Sequence, residues 1–398
     1  MNRKFYIFGV LAALCLLGTG RKSIKMMVWT VFVVLLMFLV SCSNETNESS
    51  VVHFVERSDV KMSELVSEYT VIPLETRDDN LILDASMLRV WNGRIYILDC
   101  FSSEKGIYVF SLNGSYVGKI GSFGNGPGEY IMPLTIAVDE VGNRITVKDV
   151  ARNRLLHYDA ETLQCVDEHD VSFLSDCMEY LDNGSLLWYV GSGWKDEGTP
   201  HYHILMTNRN SSIVSRHIPK KDFPKRSMYN VMTYFHQYDK ELFFHHPFSN
   251  TVYHYDADAD SIKVAYTLSC DNLVFPTEEY VMENNDGIIN QLKEDGYIAY
   301  YDLLENSEHK LCYFGTDKER YIGAYDKERQ QGFYTNVNKI EDDMGLIKFG
   351  RPKTVYNDSF VGLVYMENPE AIPSNSVLSP YLCGNDDGNP IVVLYKLK

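Results

Sequence analysis

From Leu65 onward the chain is written in short stretches of alternating or β-branched residues, each closed by turn-forming residues. Turn signals about every 8–12 positions point to an all-β fold: a sandwich, a barrel or a propeller. One unit reads Met87–Val90, the turn Trp91–Arg94, Ile95–Asp99, Gly106–Phe110, the turn Ser111–Gly114, then Ser115–Ile120. The next reads Thr135–Asp139, Arg144–Lys148, Leu155–Tyr158 and Gln164–Glu168. Both are four-stranded, the mark of a repeated unit. Second strands taken to start at Ile95, Ile145, Leu186, Leu242, Tyr321 and Phe360 recur on average about every 53 residues, which predicts a six-bladed β-propeller. The longest interval holds Thr277–Gly296, a polar stretch of helix formers read as a short helical insertion.

The last unit supplies only three strands: Thr354–Asn357, Phe360–Met366 and Ile391–Leu397. An isolated strand, Tyr69–Glu75, precedes the first unit. We expect it to complete the last blade beside Ile391–Leu397 and close the ring, where Pro73 suits an edge strand.

Residues 1–41 are patterned differently. Basic residues precede each of two apolar runs, Phe5–Leu17 and Met26–Val40. Each is shorter than the about 20 residues of a comfortable span and close to the core length of a signal segment. Two such cores in tandem suggest a start assigned too far upstream; a hairpin or one genuine span is the alternative. The second ends Leu39-Val40-Ser41-Cys42, similar to the lipobox of bacterial lipoproteins, and implies a lipidated Cys42. Residues 42–64, beginning with the polar run Ser43–Ser50, are read as a tether, and 65–398 as the propeller. Several acyl chains, at about 0.8 kcal/mol per buried CH₂, hold a protein firmly to a bilayer.

The net charge of −17 weighs against a nucleic-acid partner, whose phosphates need clustered Lys and Arg. None of the 8 cysteines forms a C-x-x-C pair, so zinc-ribbon and thioredoxin readings fail. The scattered ones read as buried small hydrophobes.

Three segments carry a resemblance: Val71–Thr76, the loop Gly124-Asn125-Gly126-Pro127-Gly128-Glu129-Tyr130, and the end Gly388–Lys396. Together they resemble a family of six-bladed propeller lipoproteins, distant relatives of NHL and TolB-like propellers. The likeness implies this fold and a Gram-negative envelope location, most naturally the outer membrane, on its periplasmic or surface face. It implies no activity and no catalytic residue.

In a propeller, the connections between strands two and three and between successive blades share one face. Here they are long: Gly121–Leu134, Gly191–His201, Pro219–Tyr229, Asp271–Lys310 and Glu367–Pro390. The opposite turns, such as Glu140–Asn143 and Asp256–Asp260, are tight. Loops well beyond about 4–6 residues commonly carry function, so the long-loop face is expected to bind. Trp194 and Tyr229 offer stacking surfaces. Lys220, Lys221 and Arg226 form a basic island suited to an anionic ligand. Glu129 and Tyr130 either anchor the glycine-rich loop or touch ligand. That loop lacks the Lys-Ser/Thr of a P-loop. His201 and His203 share a strand face and have chelating spacing, yet no third ligand is visible, so no metal is expected. Asp256–Asp260 begins like an EF-hand and fails at its sixth and twelfth positions, Ser261 and Thr267.

Neither a Gly-x-Ser-x-Gly elbow nor a His-Glu-x-x-His motif occurs. The leading expectation is therefore a non-enzymatic, lipid-anchored propeller binding a protein, peptide or glycan, without a cofactor. The alternative is an extracytoplasmic hydrolase or lyase acting on glycan or peptide at the channel mouth.

Overall fold

The computed structural model describes residues 50–102, 105–191, 201–220, 235–284, 287–346, 349–365, 376–381 and 388–398. The chain enters with β1 (Ser50–Glu56), the single turn α1 (Met62–Leu65) and β2 (Val66–Pro73). Blade one is β3 (Ala85–Trp91), β4 (Arg94–Asp99), β5 (Gly106–Ser111) and β6 (Tyr116–Ile120), followed by a small ribbon of β7 (Ser122–Phe123) and β8 (Glu129–Tyr130). Blade two is β9 (Pro133–Asp139), β10 (Arg144–Asp149), β11 (Arg154–Asp159) and β12 (Cys165–Asp170). Blade three is β13 (Cys177–Tyr180), β14 (Leu186–Tyr189), β15 (Tyr202–Thr207) and β16 (Ile213–Pro219). Blade four is β17 (Phe235–Tyr238), β18 (Glu241–His245), β19 (Thr251–Asp256) and β20 (Ser261–Cys270). After α2 (Glu278–Glu283) and α3 (Ile288–Glu294) comes blade five, β21 (Tyr300–Glu305), β22 (His309–Gly315), β23 (Arg320–Asp326) and β24 (Gln331–Asn336). Blade six is β25 (Arg351–Tyr356), β26 (Ser359–Val364) and β27 (Ile391–Leu397), completed by β2.

The six-bladed all-β reading therefore holds, and so do the helical insertion and the closing strand. β2 pairs antiparallel with β27 from Val66↔Leu397 to Pro73↔Ile391. Blades one, four and six open on two-residue hairpin turns with both φ values positive: Asn92-Gly93, Asp239-Lys240 and Asn357-Asp358. This is the type I′ geometry that matches strand twist and favours Asn, Asp and Gly. Buried apolar residues gather in a cluster at each blade junction. In each, alternate residues of facing strands meet, as a period-2 pattern requires.

Two expectations need correction. Tyr321 does not open a second strand; it lies in β23, the third strand of blade five. The true second strand, β22, and the first, β21, fall inside or at the edge of the stretch 271–310 read as one loop. The tether reading is also too long. Residues 50–56, assigned to it, form β1, which wedges between the outer strands of blades four and five and pairs in parallel with both. Val52 and Phe54 are 3% and 1% exposed, so this strand belongs to the core. It fuses the two blades into one nine-stranded sheet.

Cys100, Cys165, Cys270 and Cys312 are free thiols. Burial pushes the thiols of Cys100 and Cys270 up to about 11 and about 12, which keeps them protonated and unreactive. Among the described residues no helix is long and apolar enough to cross a membrane.

Ring closure has a backbone checkpoint at Gly114, in the turn between β5 and β6. Its φ is +86°, and a Cβ there would lie 2.0 Å from the carbonyl oxygen of Pro73 as β2 leaves blade six. Gly114→Ala is expected to cost about 1–3 kcal/mol, the scale of a forced left-handed residue, and urea unfolding measures it. An unchanged midpoint and slope would show that β2 yields freely at this contact.

Candidate functional site

A cleft opens on the long-loop face between blades three and four, with a volume near 670 Å³. Separate stretches of blades three and four and the segment after them build it. Tyr189 ends β14 and His203 sits near the start of β15; both point in because strand ends at this face converge on the junction. The β18–β19 connection contributes His246–Asn250, and β19 adds Tyr253. The segment after β20, Leu273–Thr277, forms the far wall. Thr277 is the N-cap of α2, its hydroxyl accepting from the Tyr280 amide, so the helix is fixed against the cleft.

The floor is an aromatic cluster. The rings of His203 and His246 are 4.7 Å apart in edge-to-face contact, and Tyr253 lies 5.5 Å from His246. Tyr189 Oη and His246 Nδ1 share a hydrogen bond at 2.9 Å. Burial, and then the neighbouring His203, hold the His246 imidazole well below its usual range, so it is neutral at pH 7. Phe248 and Phe275 add apolar walls, while Ser249, Asn250, Thr251 and Ser269 bring hydroxyls and an amide. No Asp, Glu, Lys or Arg lines the cleft among the described residues. Aromatic faces beside neutral hydrogen-bonding groups suit an uncharged, amphipathic ligand.

The expected residues are placed as follows. Trp194, Lys221, Arg226 and Tyr229 lie outside the described residues. Lys220 directly follows the cleft residue Pro219, but its Nζ donates to the Gly191 carbonyl at 2.7 Å. Burial lowers its ammonium to about 8. Tyr130 is fully buried and donates to the Ile120 carbonyl at 2.8 Å. The Glu129 carboxylate accepts from the Gly126 amide at 2.7 Å, and Gly128 adopts φ +68°. Both side chains thus pin the glycine-rich loop, the anchoring half of the expectation. His201 is exposed, and only His203 reaches the cleft. His246, which touches His203, Tyr253 and Tyr189, is the residue that organises the floor. Asp256 accepts from the amides of Asp258 and Ala259, an ordinary Asx turn.

A second mouth, about 580 Å³, opens at the central channel on the tight-turn face and is lined by charged side chains of both signs. Arg89 and Glu179 pair across it at 2.9 Å. At its wall Glu305 is 4% exposed and meets Lys310 and Lys327 at 2.5 and 2.7 Å. Burial alone would raise the Glu305 carboxyl, but His236 and Lys310 outweigh it and hold it far below its usual range. At the rim between β1 and β20 a chain of three side chains runs Ser269 Oγ···His53 Nδ1 at 2.8 Å and His53 Nε2···Asp271 Oδ1 at 3.0 Å.

A family model described as a 6-bladed beta-propeller matches residues 41–363. Among solved structures, the chain is similar to a Bacteroides fragilis protein that carries a provisional name as an exported protein. The two share 24% identity with a TM-score of 0.77, covering 88% of this chain and 100% of that one. A Bacteroides vulgatus member of the DUF4221 family aligns at 14% identity and a TM-score of 0.53, covering 84% of this chain and 98% of that one. No curated protein matches the chain.

Proposed function

Because the chain belongs to this family of six-bladed β-propellers, DUF5128, we propose that it is an exported, lipid-anchored binding protein that holds a neutral glycan in the cleft between blades three and four. The observation that carries the reading is the chemistry of that cleft: a Tyr-His-His-Tyr floor, Phe walls, hydroxyl and amide groups, and no charged lining side chain among the described residues. Sugar rings present C–H faces to aromatic rings and hydroxyls to neutral polar groups, which is what this lining offers. The basic island prompted an anionic ligand; the one described member, Lys220, is engaged with the Gly191 carbonyl and lies outside the lining.

Anchoring rests on the Cys42 lipobox and on the short run from Cys42 to Ser50, where β1 begins. Lipid on Cys42 would hold the propeller through β1, a strand locked into the core, at the envelope of a Gram-negative cell. The similarity to a protein provisionally named as exported agrees with this location.

The test is affinity electrophoresis through gels containing neutral polysaccharides of differing linkage. At least one should retard the protein, independently of salt, since no ion pair is made. Tyr253→Ala and Phe275→Ala should each weaken retention about tenfold, the worth of one aromatic contact. Asp258→Ala, on the tight-turn face, should leave retention unchanged. Retention by no polysaccharide, or retention indifferent to both aromatic variants, refutes the reading.

The hydrolase alternative has one observation in its favour, the Ser269–His53–Asp271 chain beside the cleft. It presents Nδ1 rather than Nε2 to the serine, and His53 and Asp271 are 47% and 40% exposed, unlike the sheltered relay of serine hydrolases. These bonds also tie β1 to β20, so the strand pairing accounts for them without a reaction.

A further inference from the structure

We propose that the junction of blades two and three carries a site for a divalent transition-metal ion of the zinc type, built from His157, Asp167 and His169. Asp167 and His169 are two apart on β12, so they share a face, and His157 on β11 is the direct cross-strand partner of Asp167. One ligand atom from each of the three lies within 4.8 Å of the others. A tetrahedral ion about 2.0–2.1 Å from each ligand sets them roughly 3.3 Å apart, a small closing movement of side chains on fixed strands. The His169 and Asp167 atoms, Nδ1 and Oδ2, already stand 3.7 Å apart.

The surroundings do what a metal site requires of them. The His157 Nδ1 is held by Thr146 Oγ1 at 2.8 Å, and that hydroxyl is held in turn by Tyr180 Oη at 2.9 Å. The His169 Nε2 is held by Ser211 Oγ at 2.7 Å. Each imidazole thus has one nitrogen tied to a hydroxyl, leaving Nε2 of His157 and Nδ1 of His169 for coordination. Fixing the far nitrogen in this way sets the tautomer and aim of a ligating histidine. The two rings stack at 5.2 Å with 25° between planes, so they already lie side by side. Two imidazoles and a carboxylate favour zinc-like ions over calcium or magnesium, which prefer all-oxygen sites. Three protein ligands leave a fourth position for water, on the side where Asp167 is exposed.

Blade two provides the ligands, whereas Tyr180 on β13 and Ser211 in the β15–β16 turn belong to blade three. The ion would therefore be felt at the blade junction, and its binding should register as stability.

The experiment uses the full chain, untagged, purified in detergent and stripped with chelator. Zn²⁺ alone is then titrated by calorimetry, with thermal melting in parallel. One ion per chain should bind with micromolar or tighter affinity and raise the melting temperature by several degrees. Asp167→Asn and His169→Ala, at partly exposed positions that should fold normally, should each weaken binding at least tenfold. Thr146→Val and Ser211→Ala should weaken it about 10–100-fold without removing a ligand. His203→Ala, in the glycan cleft, should leave it unchanged. Co²⁺ should give visible absorption bands that disappear in His169→Ala. No saturable binding up to high micromolar Zn²⁺, or binding that survives His169→Ala, overturns the proposal and leaves the cleft reading untouched.

Discussion

Glu305→Gln is expected to lower the unfolding free energy by about 3–5 kcal/mol at pH 7, the cost of breaking a buried ion pair from one side. The carboxylate sits at the junction of blades four and five, between the ammonium groups of Lys310 and Lys327, and accepts from Tyr266 Oη at 3.1 Å. Neutralising it leaves two largely buried cations that compete for Tyr266 and Tyr238, over whose rings they already lie at 4.0 and 3.4 Å. Urea unfolding at pH 7 measures the loss, and a change below about 1 kcal/mol would mean the lysines find water instead.

The same site sets an acid limit. Because the folded Glu305 carboxyl is depressed below the ordinary 4.5, its contribution is complete above that value and is lost as pH falls through the range beneath it. His236, 3.8 Å from Glu305 and stacked on Phe243, has its imidazole lowered by burial. The unfolded histidine takes up a proton below about 6.5 while the folded one resists, so it also destabilises on acidification. Stability of the natural chain should fall in two stages, near pH 6 and again below 4.5. Glu305→Gln should make the second stage shallower, leaving the part due to other carboxyls held below their usual range, such as Asp149.

The blades were legible because their information is local. A period-2 pattern closed by Asn92-Gly93 or Asn357-Asp358 specifies a hairpin within a dozen residues. Blade five was misplaced because its first turn, Asn306-Ser307-Glu308, has no glycine and its first strand follows the helical insertion, so a loop reading absorbed both strands. β1 was missed for a different reason. Its seven residues follow a polar run, and both pairing partners, β20 and β24, are more than two hundred residues away, where no short-range signal reaches. The cleft was half legible. Long loops identified its face, but the meeting of Tyr189, His203 and His246 depends on how blades three and four pack. The His201/His203 spacing gave no metal expectation for want of a third ligand; Asp167-x-His169 has the same spacing, and a third candidate, His157, lies across from it on the neighbouring strand, a juxtaposition that only the strand pairing reveals.

Deleting Val66–Pro73 is expected to abolish the soluble monomer. Through this segment the first part of the chain closes the last blade, and seven register pairs join it to β27. Without it, β27 becomes an outer edge carrying Val392, Val393 and Tyr395, all essentially unexposed in the closed ring. A long apolar edge with unpaired amides recruits other chains, so the deletion should run as aggregates in size-exclusion chromatography and lack a cooperative melt. Deleting only Ser50–Glu56 should behave differently. It removes the wedge between blades four and five but leaves every blade four-stranded, giving a monomer of reduced stability. A rescue separates closure from mere loss of buried area. Because Leu397 lies opposite Val66, the segment 66–73 joined behind Leu397 through a two-residue Asn-Gly turn that replaces Lys398 can fold back in register as a hairpin on β27. This rearranged chain should recover the monomer and its cooperative transition. If it stays aggregated, or if the simple deletion remains monomeric with an unchanged melt, closure by β2 is not what holds the ring.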